Sequence, residues 1–514
     1  MSNWHFNLEV EMKNIQNKKV LILGLGVSGL AMARWCSRFG ADVTVVDTRA
    51  KPPQYDVFNK ILPNAKFICS QFESDLILHN SYDLLLISPG IRPKDIQTIL
   101  LISKNNNIII ANELVLFSNA LVNLKESQSY SPCILAITGT NGKTTVTSLT
   151  GKLVESAGKT VVVAGNIGPS LLDTLIEKID LNQLPEVWVL ELSSFQLHDS
   201  QVFEPTAGAL LNLSQDHLDW HGSMEEYARA KSLVFGKKAV MVLNRDDEAV
   251  MEMLEQINDT KSPRQVITFG ADMPKQAGDF GLEQINGMAW LVKAVGIEEA
   301  AFKRKNLSAN SKGEIYIQRL MPADALKIRG RHNMLNALVA LSLSDKAKCA
   351  LAPVLYALRD YRGEPHRVEP IGDICGVEYF DDSKGTNVGA TVAALIGLGV
   401  DRKVVIILGG ESKGQDFSPL LIPVNQYARS VILIGKDKGA ILDALHDSIV
   451  PIVMADTMLE AVSTAKKQAC TGDAVLLSPA CSSFDMFDNY EHRGRVFCSV
   501  VKQIASQLDE SSVL

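Results

Sequence analysis

The 514-residue chain lacks a hydrophobic run long enough to cross a membrane, since no apolar stretch reaches the roughly 18 residues of a spanning helix. It also lacks an excess of positive charge. Its formal net charge is −7, whereas nucleic-acid-binding domains normally carry a basic stripe or arm. Residues 1–17 contain no apolar signal-peptide core. We therefore expect a cytoplasmic protein without a membrane span and without a nucleic-acid partner.

Cysteine is scattered, and none of the eight cysteines forms a C-x-x-C pair, the spacing typical of redox motifs and zinc sites. His217 and His221 have the i, i+4 spacing of helical zinc ligands, but no glutamate follows His217 and no third ligand is evident. The sequence therefore favours a reducing compartment and gives no support for a zinc protease.

Short β-rich runs alternate with helical stretches along most of the chain, which is typical of βαβ units around parallel sheets. The runs form three series, which begin at Lys19–Leu23, at Ile134–Thr138 and at Val377–Phe380. We predict an α/β protein of three domains: an N-terminal Rossmann-like domain (residues 1–111), a central P-loop ATPase-like domain with a parallel sheet (112–363) and a C-terminal Rossmann-like domain (364–514). Residues 271–325 look polar and irregular, and no element is predicted there.

The motif GTNGKT at residues 139–144 follows a predicted strand and precedes a predicted helix. Gly139 and Gly142 allow backbone amides to turn toward phosphate oxygens, Lys143 offsets their charge, and the Thr144 hydroxyl can reach Mg²⁺. A strict Walker motif would have glycine at position 137, where this chain has Ile137. We interpret the loop as a shortened ATP-binding loop; the alternative is a glycine-rich turn that happens to precede Lys-Thr.

A second glycine motif, GLGVSG at residues 24–29, also follows a strand and opens a helix, and Asp47 ends the next strand. This arrangement is found in dinucleotide-binding folds, but the same geometry holds any diphosphate-linked ribonucleoside. A purely structural turn is the alternative. The motif alone is weak evidence for a redox reaction.

Several single side chains are candidates with open alternatives. Glu191 ends an apolar strand, where it could bind Mg²⁺ or form an ordinary ion pair. His217 follows another strand and, taken alone, is best explained as a hydrogen-bonded loop histidine. Lys231 lies among exposed-looking charges and taken alone is a surface lysine. The DDSKGTN segment at residues 381–387 places acid, base, hydroxyl and amide groups in one turn and is interpreted as a binding loop.

Together these motifs resemble the Mur ligases over nearly the whole chain. The motifs that carry the resemblance are GLGVSG, VDTR, SPGI, GTNGKTT, GNIG, LELSSFQL, LNLSQDHLD, GRHNMLNA, PHRVE, DDSKGTN, LGGESKGQDF and LLSPACSSFDMF. The P-loop and the HNxxN element mark the wider family, whereas DDSKGTN and SPACSSFDMF are similar to the members that add D-glutamate. The stretch at 271–325 and both chain ends look longer than the family pattern.

The resemblance implies that Mg²⁺-ATP phosphorylates the carboxylate of UDP-N-acetylmuramoyl-L-alanine and that the D-glutamate amine then attacks the acyl phosphate. A carboxylate is a poor electrophile, and phosphorylation supplies its leaving group. The implied cofactors are ATP and one or two Mg²⁺ ions, with Lys231 N-carboxylated so that it can serve a metal. The resemblance also implies domain closure, and we expect a monomer.

The resemblance carries residue roles to this chain. The catalytic residues would be Lys143, His217, Lys231 and Lys384. The metal ligands would be Thr144, Glu191, His217 and Lys231. The ATP site would comprise Gly139, Thr140, Asn141, Gly142, Lys143, Thr144, Thr145, Asn333, Asn336, Arg367 and Asp382. The UDP-sugar site would comprise Val27, Ser28, Asp47, Thr48, Arg49, Gly90, Asn166, Ser193 and Gln196. The D-glutamate pocket would comprise Thr386, Lys413, Ser483, Phe484 and Tyr490.

Two other classes of function compete with a ligase. An NAD-dependent oxidoreductase would use the first glycine motif and consume NADH. A non-enzymatic nucleotide switch would hydrolyse ATP without dependence on an acceptor, although the combination of Glu191, His217 and Lys384 argues against it.

Overall fold

The computed structural model describes residues 15–78, 80–257, 264–297, 315–400, 402–412 and 414–511. Within these residues the chain forms three sheets, whose strands span residues 19–111, 133–322 and 369–477. The α/β class and the three-part arrangement predicted from the sequence are therefore confirmed. The domain boundaries after residues 111 and 363 stay a prediction.

The first sheet is parallel and has the order β3-β2-β1-β4-β5. Its strands are β1 (Lys19–Leu23), β2 (Asp42–Asp47), β3 (Lys66–Cys69), β4 (Leu84–Ile87) and β5 (Ile109–Ala111). Its helices are α1 (Val27–Arg38), α2 (Tyr55–Ile61), α3 (Asp75–Leu78) and α4 (Gln97–Asn105), with a 3₁₀ turn at Pro93–Ile96. The strand order reverses between β1 and β4, which opens a crevice at the carboxyl ends of these strands.

The central sheet has nine strands in the order β14-β13-β12-β11-β10-β9-β6-β8-β7. They are β6 (Cys133–Thr138), β7 (Val161–Gly165), β8 (Val187–Glu191), β9 (Ala207–Leu210), β10 (Val240–Asn244), β11 (Val266–Phe269), β12 (Phe280–Ile285), β13 (Met288–Gly296) and β14 (Ile315–Pro322). Strand β6 lies between β8 and β9 and pairs with both in parallel, so the loops after these three strands converge at one edge of the sheet.

The helices of this part cover both faces of the central sheet. They are α5 (Glu113–Gln128), α6 (Lys143–Ser156), α7 (Leu171–Asp180), α8 (Ser194–Leu197), α9 (Leu218–His221), α10 (Met224–Ser232), α11 (Glu248–Ile257), α12 (Arg331–Lys346) and α13 (Leu351–Asp360), with 3₁₀ turns at Leu233–Phe235 and Ala323–Ala325. Strand β8 is buried at every residue, as expected for a parallel strand covered on both faces.

The prediction that residues 271–325 are irregular was wrong for the part that the structure describes. Strands β12, β13 and β14 extend the central sheet with antiparallel pairs. Asn286 and Gly287 connect β12 to β13 with φ angles of 49° and 80°, the left-handed values that a two-residue hairpin turn needs. The Asn-Gly pair was a readable signal, but the flanking strands are only partly apolar.

The third sheet has the order β15-β16-β20-β17-β18-β19, with β15 antiparallel to β16 and the other pairs parallel. Its strands are β15 (Glu369–Ile374), β16 (Val377–Asp381), β17 (Val404–Gly409), β18 (Ala428–Ile434), β19 (Ile452–Met454) and β20 (Ala474–Leu477). Its helices are α14 (Val388–Gly399), α15 (Leu421–Tyr427), α16 (Lys438–Ala444), α17 (Met458–Gln468) and α18 (Tyr490–Ser511), with a 3₁₀ turn at Ser418–Leu420.

Among the described residues, no helix combines the length and the apolar character needed to span a membrane.

Candidate active site

The loop at residues 139–142 connects β6 to the first residue of α6, as the sequence predicted. Gly142 has φ of 83°, and a side-chain carbon there would lie 2.9 Å from Asn336 Oδ1. A carbon on Gly139 would lie 2.8 Å from Leu211 Cβ. Both glycines are therefore required by backbone conformation and close packing. The loop places its amides at a helix N-terminus, where anions bind.

Lys143 folds back over this loop, and its Nζ donates to the carbonyls of Gly139 and Thr140 at 2.8 Å each. Burial lowers the pKa of Lys143, and nearby Glu191 opposes that shift. A cation held over the phosphate-binding loop is placed to neutralise a bound polyphosphate.

Glu191 ends strand β8 beside this loop and is buried. Its Oε1 accepts a hydrogen bond from Asn166 Nδ2 at 2.7 Å, whereas its buried Oε2 has no hydrogen-bond partner. An unpartnered buried carboxylate oxygen is costly unless a cation or donor meets it. The carboxylate and the Thr144 hydroxyl are both oxygen donors of the kind that Mg²⁺ prefers, so the residues present fit this ion.

Lys231 on α10 is buried, with 1% of its surface exposed, so its interpretation as a surface lysine is wrong. Its Nζ donates to Gly139 O at 2.8 Å and to Thr138 Oγ1 at 3.4 Å, and it lies 4.7 Å from the centre of the Tyr227 ring. Burial, together with the positive charge of Lys143, lowers the pKa of Lys231 well below its usual value. The helical periodicity of α10 turns Lys231 inward, which local composition could not reveal.

His217 has a left-handed backbone with φ of 54° and precedes α9. Its ring packs edge to face on Phe195 at 4.7 Å, and its Nε2 lies 3.5 Å from Asp216 Oδ2. Although 46% of the side chain is exposed, desolvation of the rest lowers the pKa of His217 and outweighs the opposing effect of Asp216, which favours the neutral imidazole. A neutral imidazole is the form that binds metals.

The C-terminal part of the chain contacts this loop directly. Arg367 Nη2 donates to Thr144 Oγ1 at 2.6 Å, and the side-chain amides of Asn387 and Asn141 hydrogen-bond each other. Lys384 Nζ lies 3.7 Å from the centre of the Tyr490 ring. Burial lowers the pKa of Lys384, and Arg367 adds to that effect.

A cleft of about 560 Å³ lies between the central and C-terminal parts. The candidate residues that line it are Thr140, Asn141, Gly142, Lys143, Thr144, Asn166, Glu191, His217, Arg367, Lys384, Thr386 and Tyr490. A neighbouring cavity of about 140 Å³ is lined by Thr145, Asn333, Asn336 and Asp382, among others. The two cavities share Asn141 and Gly142 of the P-loop, so a phosphate chain and its nucleoside could occupy adjoining spaces.

Asp382 is buried next to these cavities, and Ser478 Oγ donates to its Oδ2 at 2.6 Å. Burial raises the pKa of Asp382 to about 7. Asn336 Nδ2 donates to Asn333 Oδ1 at 3.0 Å, which joins two of the candidate ATP residues on α12.

The candidate UDP-sugar residues at the carboxyl edge of the first sheet lie outside this cleft. Asp47 accepts from the backbone of Leu25 at 2.8 Å and from the guanidinium of Arg49 at 2.8 Å. Burial alone would raise the pKa of Asp47, but these hydrogen bonds outweigh it and lower the pKa to about 2. Val27 and Ser28 begin α1, Thr48 follows β2, and Gly90 follows β4.

Ser193 and Gln196 form a reciprocal capping box at the start of α8, so their side chains are engaged with each other. In the D-glutamate set, Ser483 is buried and Phe484 is exposed, and both lie outside the cleft lining. Lys413 lies outside the described residues.

Sequence reasoning missed several polar residues that line the cleft: Asp216, Glu364, His366 and Glu491. His366 Nδ1 lies 2.7 Å from Oδ2 of the fully buried Asp381, which orients its ring. A signal existed, because Glu364 and His366 flank Pro365 immediately before Arg367. Glu491, by contrast, is brought in by α18 from more than a hundred residues away.

Three sheets built mainly of parallel strands, with a P-loop at a cleft between the second and third, define a multidomain nucleotide-binding α/β enzyme. Three family models match the chain: "Mur ligase MurD-like, N-terminal domain" over residues 18–110, "Mur ligase middle domain" over 137–344 and "Mur ligase, glutamate ligase domain" over 366–481. The chain belongs to the Mur ligase family, whose members are ATP-dependent ligases.

Relatives and solved structures agree with this assignment. A protein of Albidiferax ferrireducens named UDP-N-acetylmuramoylalanine--D-glutamate ligase is 57% identical, over 96% of this chain and 98% of the relative. A protein of the same name from Burkholderia thailandensis is 49% identical, over 95% and 98% of the two chains. The MurF ligase structure from Thermotoga maritima, solved in complex with ADP, is similar with a TM-score of 0.57 and 15% identity, over 97% of this chain and 100% of that one; it supports the fold.

Proposed function

We propose that this protein joins D-glutamate to UDP-N-acetylmuramoyl-L-alanine in the cytoplasm, using ATP to convert the alanyl carboxylate into an acyl phosphate during peptidoglycan synthesis. The relatives that are 48–57% identical over nearly the full chain carry the name of that activity. The observation that supports the chemistry most directly is the single cleft that combines Lys143, the unpartnered Glu191 oxygen and the C-terminal Lys384.

The proposed first step is phosphoryl transfer from ATP to the substrate carboxylate. Two anions must approach each other, and Lys143 and Arg367 supply fixed positive charge beside the P-loop for this purpose. Glu191 and Thr144 would hold one Mg²⁺. This ion, when bound, neutralises charge on the transferring phosphate.

The second step needs the amine of D-glutamate in its neutral form, because an ammonium has no lone pair. The amine attacks the acyl carbon, the carbon–oxygen bond to phosphate breaks, and an amide and inorganic phosphate result. Lys384 and Thr386 line the cleft on the C-terminal side, opposite the P-loop. Lys384 would bind the phosphate, and Thr386 would bind the carboxylates of the acceptor.

Lys231 and His217 are proposed for a second metal position, with Lys231 carbamylated. Carbamate forms when a neutral amine attacks carbon dioxide and loses a proton, so the lowered pKa of Lys231 favours the reaction at neutral pH. The product is an anionic oxygen ligand, which suits Mg²⁺ better than an ammonium.

An acceptor-dependence assay tests the proposed function. Phosphate release from ATP should require both UDP-N-acetylmuramoyl-L-alanine and D-glutamate, and Lys143→Ala should abolish it. Equal turnover with L-glutamate or with a diamino acid would contradict the assignment of the acceptor. ATP hydrolysis without either substrate would instead indicate a nucleotide switch.

A further inference from the structure

Arg493 on α18 is a buried cation that the proposed chemistry does not use. Only 1% of its surface is exposed. Among the described residues no carboxylate lies within ion-pair distance of it, although Asp485, Asp381 and Asp382 favour its charge from farther away. Burial lowers its pKa to about 10, which still leaves it charged at neutral pH. A buried charge without a directly contacting anion is costly and needs a structural reason.

The Arg493 guanidinium bonds two different loops at once. Its Nε donates to Ser383 Oγ at 2.9 Å, and Nη2 donates to Ser383 O at 2.8 Å. Its Nη1 donates to the carbonyls of Cys481 and Ser482 at 3.1 and 3.3 Å. The planar guanidinium of arginine carries five N–H donors in a fixed fork, so it can serve acceptors on two loops from one buried position.

These two loops carry the residues proposed to form the D-glutamate pocket. Ser383 immediately precedes Lys384 and lies three residues before Thr386, while Ser482 immediately precedes Ser483 and Phe484. The loops follow different strands, β16 and β20, and are about a hundred residues apart in the chain. Arg493 therefore fixes one wall of the pocket relative to the other.

The same interaction also reaches the side of the pocket formed by α18. Ser383 Oγ donates to Tyr490 O at 2.8 Å while it accepts from Arg493, and Tyr490 presents its ring to Lys384. We infer that Arg493 is a positioning residue for the amino-acid acceptor, which sets affinity for D-glutamate and discrimination against L-glutamate without touching either. This inference rests on the function proposed above.

The test compares Arg493→Lys, Arg493→Gln and Arg493→Ala with the wild type, varying each of the three substrates in turn. For Arg493→Gln we expect the KM for D-glutamate to rise about tenfold or more, a loss of roughly 1.4 kcal/mol. The KM for UDP-N-acetylmuramoyl-L-alanine should change less than about twofold, because most of its candidate residues lie at the carboxyl edge of the first sheet. The ratio of D- to L-glutamate turnover should fall, and guanidinium ion should partly restore the Arg493→Ala variant.

Arg429→Gln is the matched control, because Arg429 pairs with Asp473 at the opposite end of the third sheet from the pocket. It should lower stability and leave the KM for D-glutamate unchanged. An unchanged KM for D-glutamate in the Arg493 variants would overturn the inference. An equal rise in KM for all three substrates would also overturn it, as would the absence of any effect of guanidinium ion on the Arg493→Ala variant. If Arg493→Gln does not fold, the milder Arg493→Lys decides by the same criteria. Failure of the proposed function would be distinguishable, because the wild type itself would then show no turnover that depends on D-glutamate.

Discussion

At the scale of single residues, burial changes the pKa values of side chains that line the cleft or lie beside it. Lys231 and Lys143 both donate to Gly139 O at 2.8 Å, so two amines share one carbonyl in a buried space. Burial and the charge of Lys143 lower the pKa of Lys231 well below its usual value. Burial also lowers the pKa of Lys143, but Glu191 and Asp216 oppose that shift. The two lysines are therefore suited to different roles: Lys143 as a cation on phosphate and Lys231 as an amine open to carbamylation.

The difference between the two lysines is testable by chemical rescue. Lys231→Ala should reduce turnover by about 100-fold or more, and short carboxylic acids should restore part of it by replacing the carbamate. Mass analysis of the wild type at high bicarbonate should detect the added carboxyl group. Lys143→Ala is the control, since a carboxylate cannot replace a cation. Equal rescue of both variants, or of neither, would count against carbamylation.

Asp47 gives a prediction about stability and pH. Its folded-state pKa of about 2 lies below the ordinary value of 3.8, so its contribution is fully present above about pH 4 and is lost as pH falls toward 2. Asp47→Asn should lower the free energy of unfolding by roughly 1–2 kcal/mol at pH 7. Urea unfolding between pH 3 and 7 should show that the difference in unfolding free energy between the wild type and Asp47→Asn decreases as the pH is lowered. Asp42→Asn, an exposed site on the same strand, should change stability by less than about 0.5 kcal/mol.

At the scale of elements, the first turns of α18 pack closely against the loops of the third domain. Gly494 lies on this helix, and a side-chain carbon there would come within 2.6 Å of Asp381 Oδ2 and still closer to the His366 ring. The helix can approach the His366–Asp381 pair only because this residue has no side chain. The same close approach of the helix allows the neighbouring Arg493 to hydrogen-bond Ser383.

Gly494→Ala should therefore destabilise the protein, although replacing a helical glycine with alanine normally stabilises a helix by roughly 0.5–1 kcal/mol. We expect a loss of about 1–3 kcal/mol from overpacking and reduced turnover, because His366 lines the cleft. Gly439→Ala on α16 is the matched control, since no atom lies within 4 Å of the added carbon. Thermal unfolding of the two variants should move in opposite directions. A stabilised Gly494→Ala variant would contradict the prediction, because it would mean that the helix shifts to accommodate the added carbon at little cost.

At the scale of the whole molecule, the candidate active-site cleft lies where the central and C-terminal parts of the chain meet. Arg367 and Asn387 of the C-terminal part hydrogen-bond Thr144 and Asn141 of the P-loop. His332 is partly buried between Gly330 and Gly397, and a side-chain carbon on either glycine would come within 2.8 Å of its ring. Burial lowers the pKa of His332 to about 4, so it is neutral within this interface at neutral pH.

Removing one of these contacts should weaken both ATP binding and domain closure. Arg367→Ala should raise the KM for ATP about tenfold or more, since a charge-assisted contact near phosphate contributes roughly 1.5–3 kcal/mol. Small-angle X-ray scattering should show less compaction on nucleotide binding than in the wild type. Arg362 is an exposed arginine on the same loop, and Arg362→Ala should change neither the KM for ATP nor the compaction on nucleotide binding. Unaltered compaction with Arg367→Ala would mean that other contacts are sufficient to close the domains.

The sequence by itself determined the features that depend on neighbours in the chain. Alternation of apolar strands and helices predicted three βα series, and GTNGKT predicted a loop whose glycines require special backbone angles. The Mur ligase resemblance rested on such local motifs and is confirmed by the family matches. The assigned residue roles remain predictions.

Only the tertiary structure decided what depends on distance in space. It showed that Lys231 is buried, that one oxygen of Glu191 has no hydrogen-bond partner, and that Arg493 joins two loops about a hundred residues apart. It also supplied the three strands at residues 280–322, whose partly apolar pattern is too weak to identify alone. Burial, pairing and charge coupling arise from packing between distant segments, and no local pattern records them.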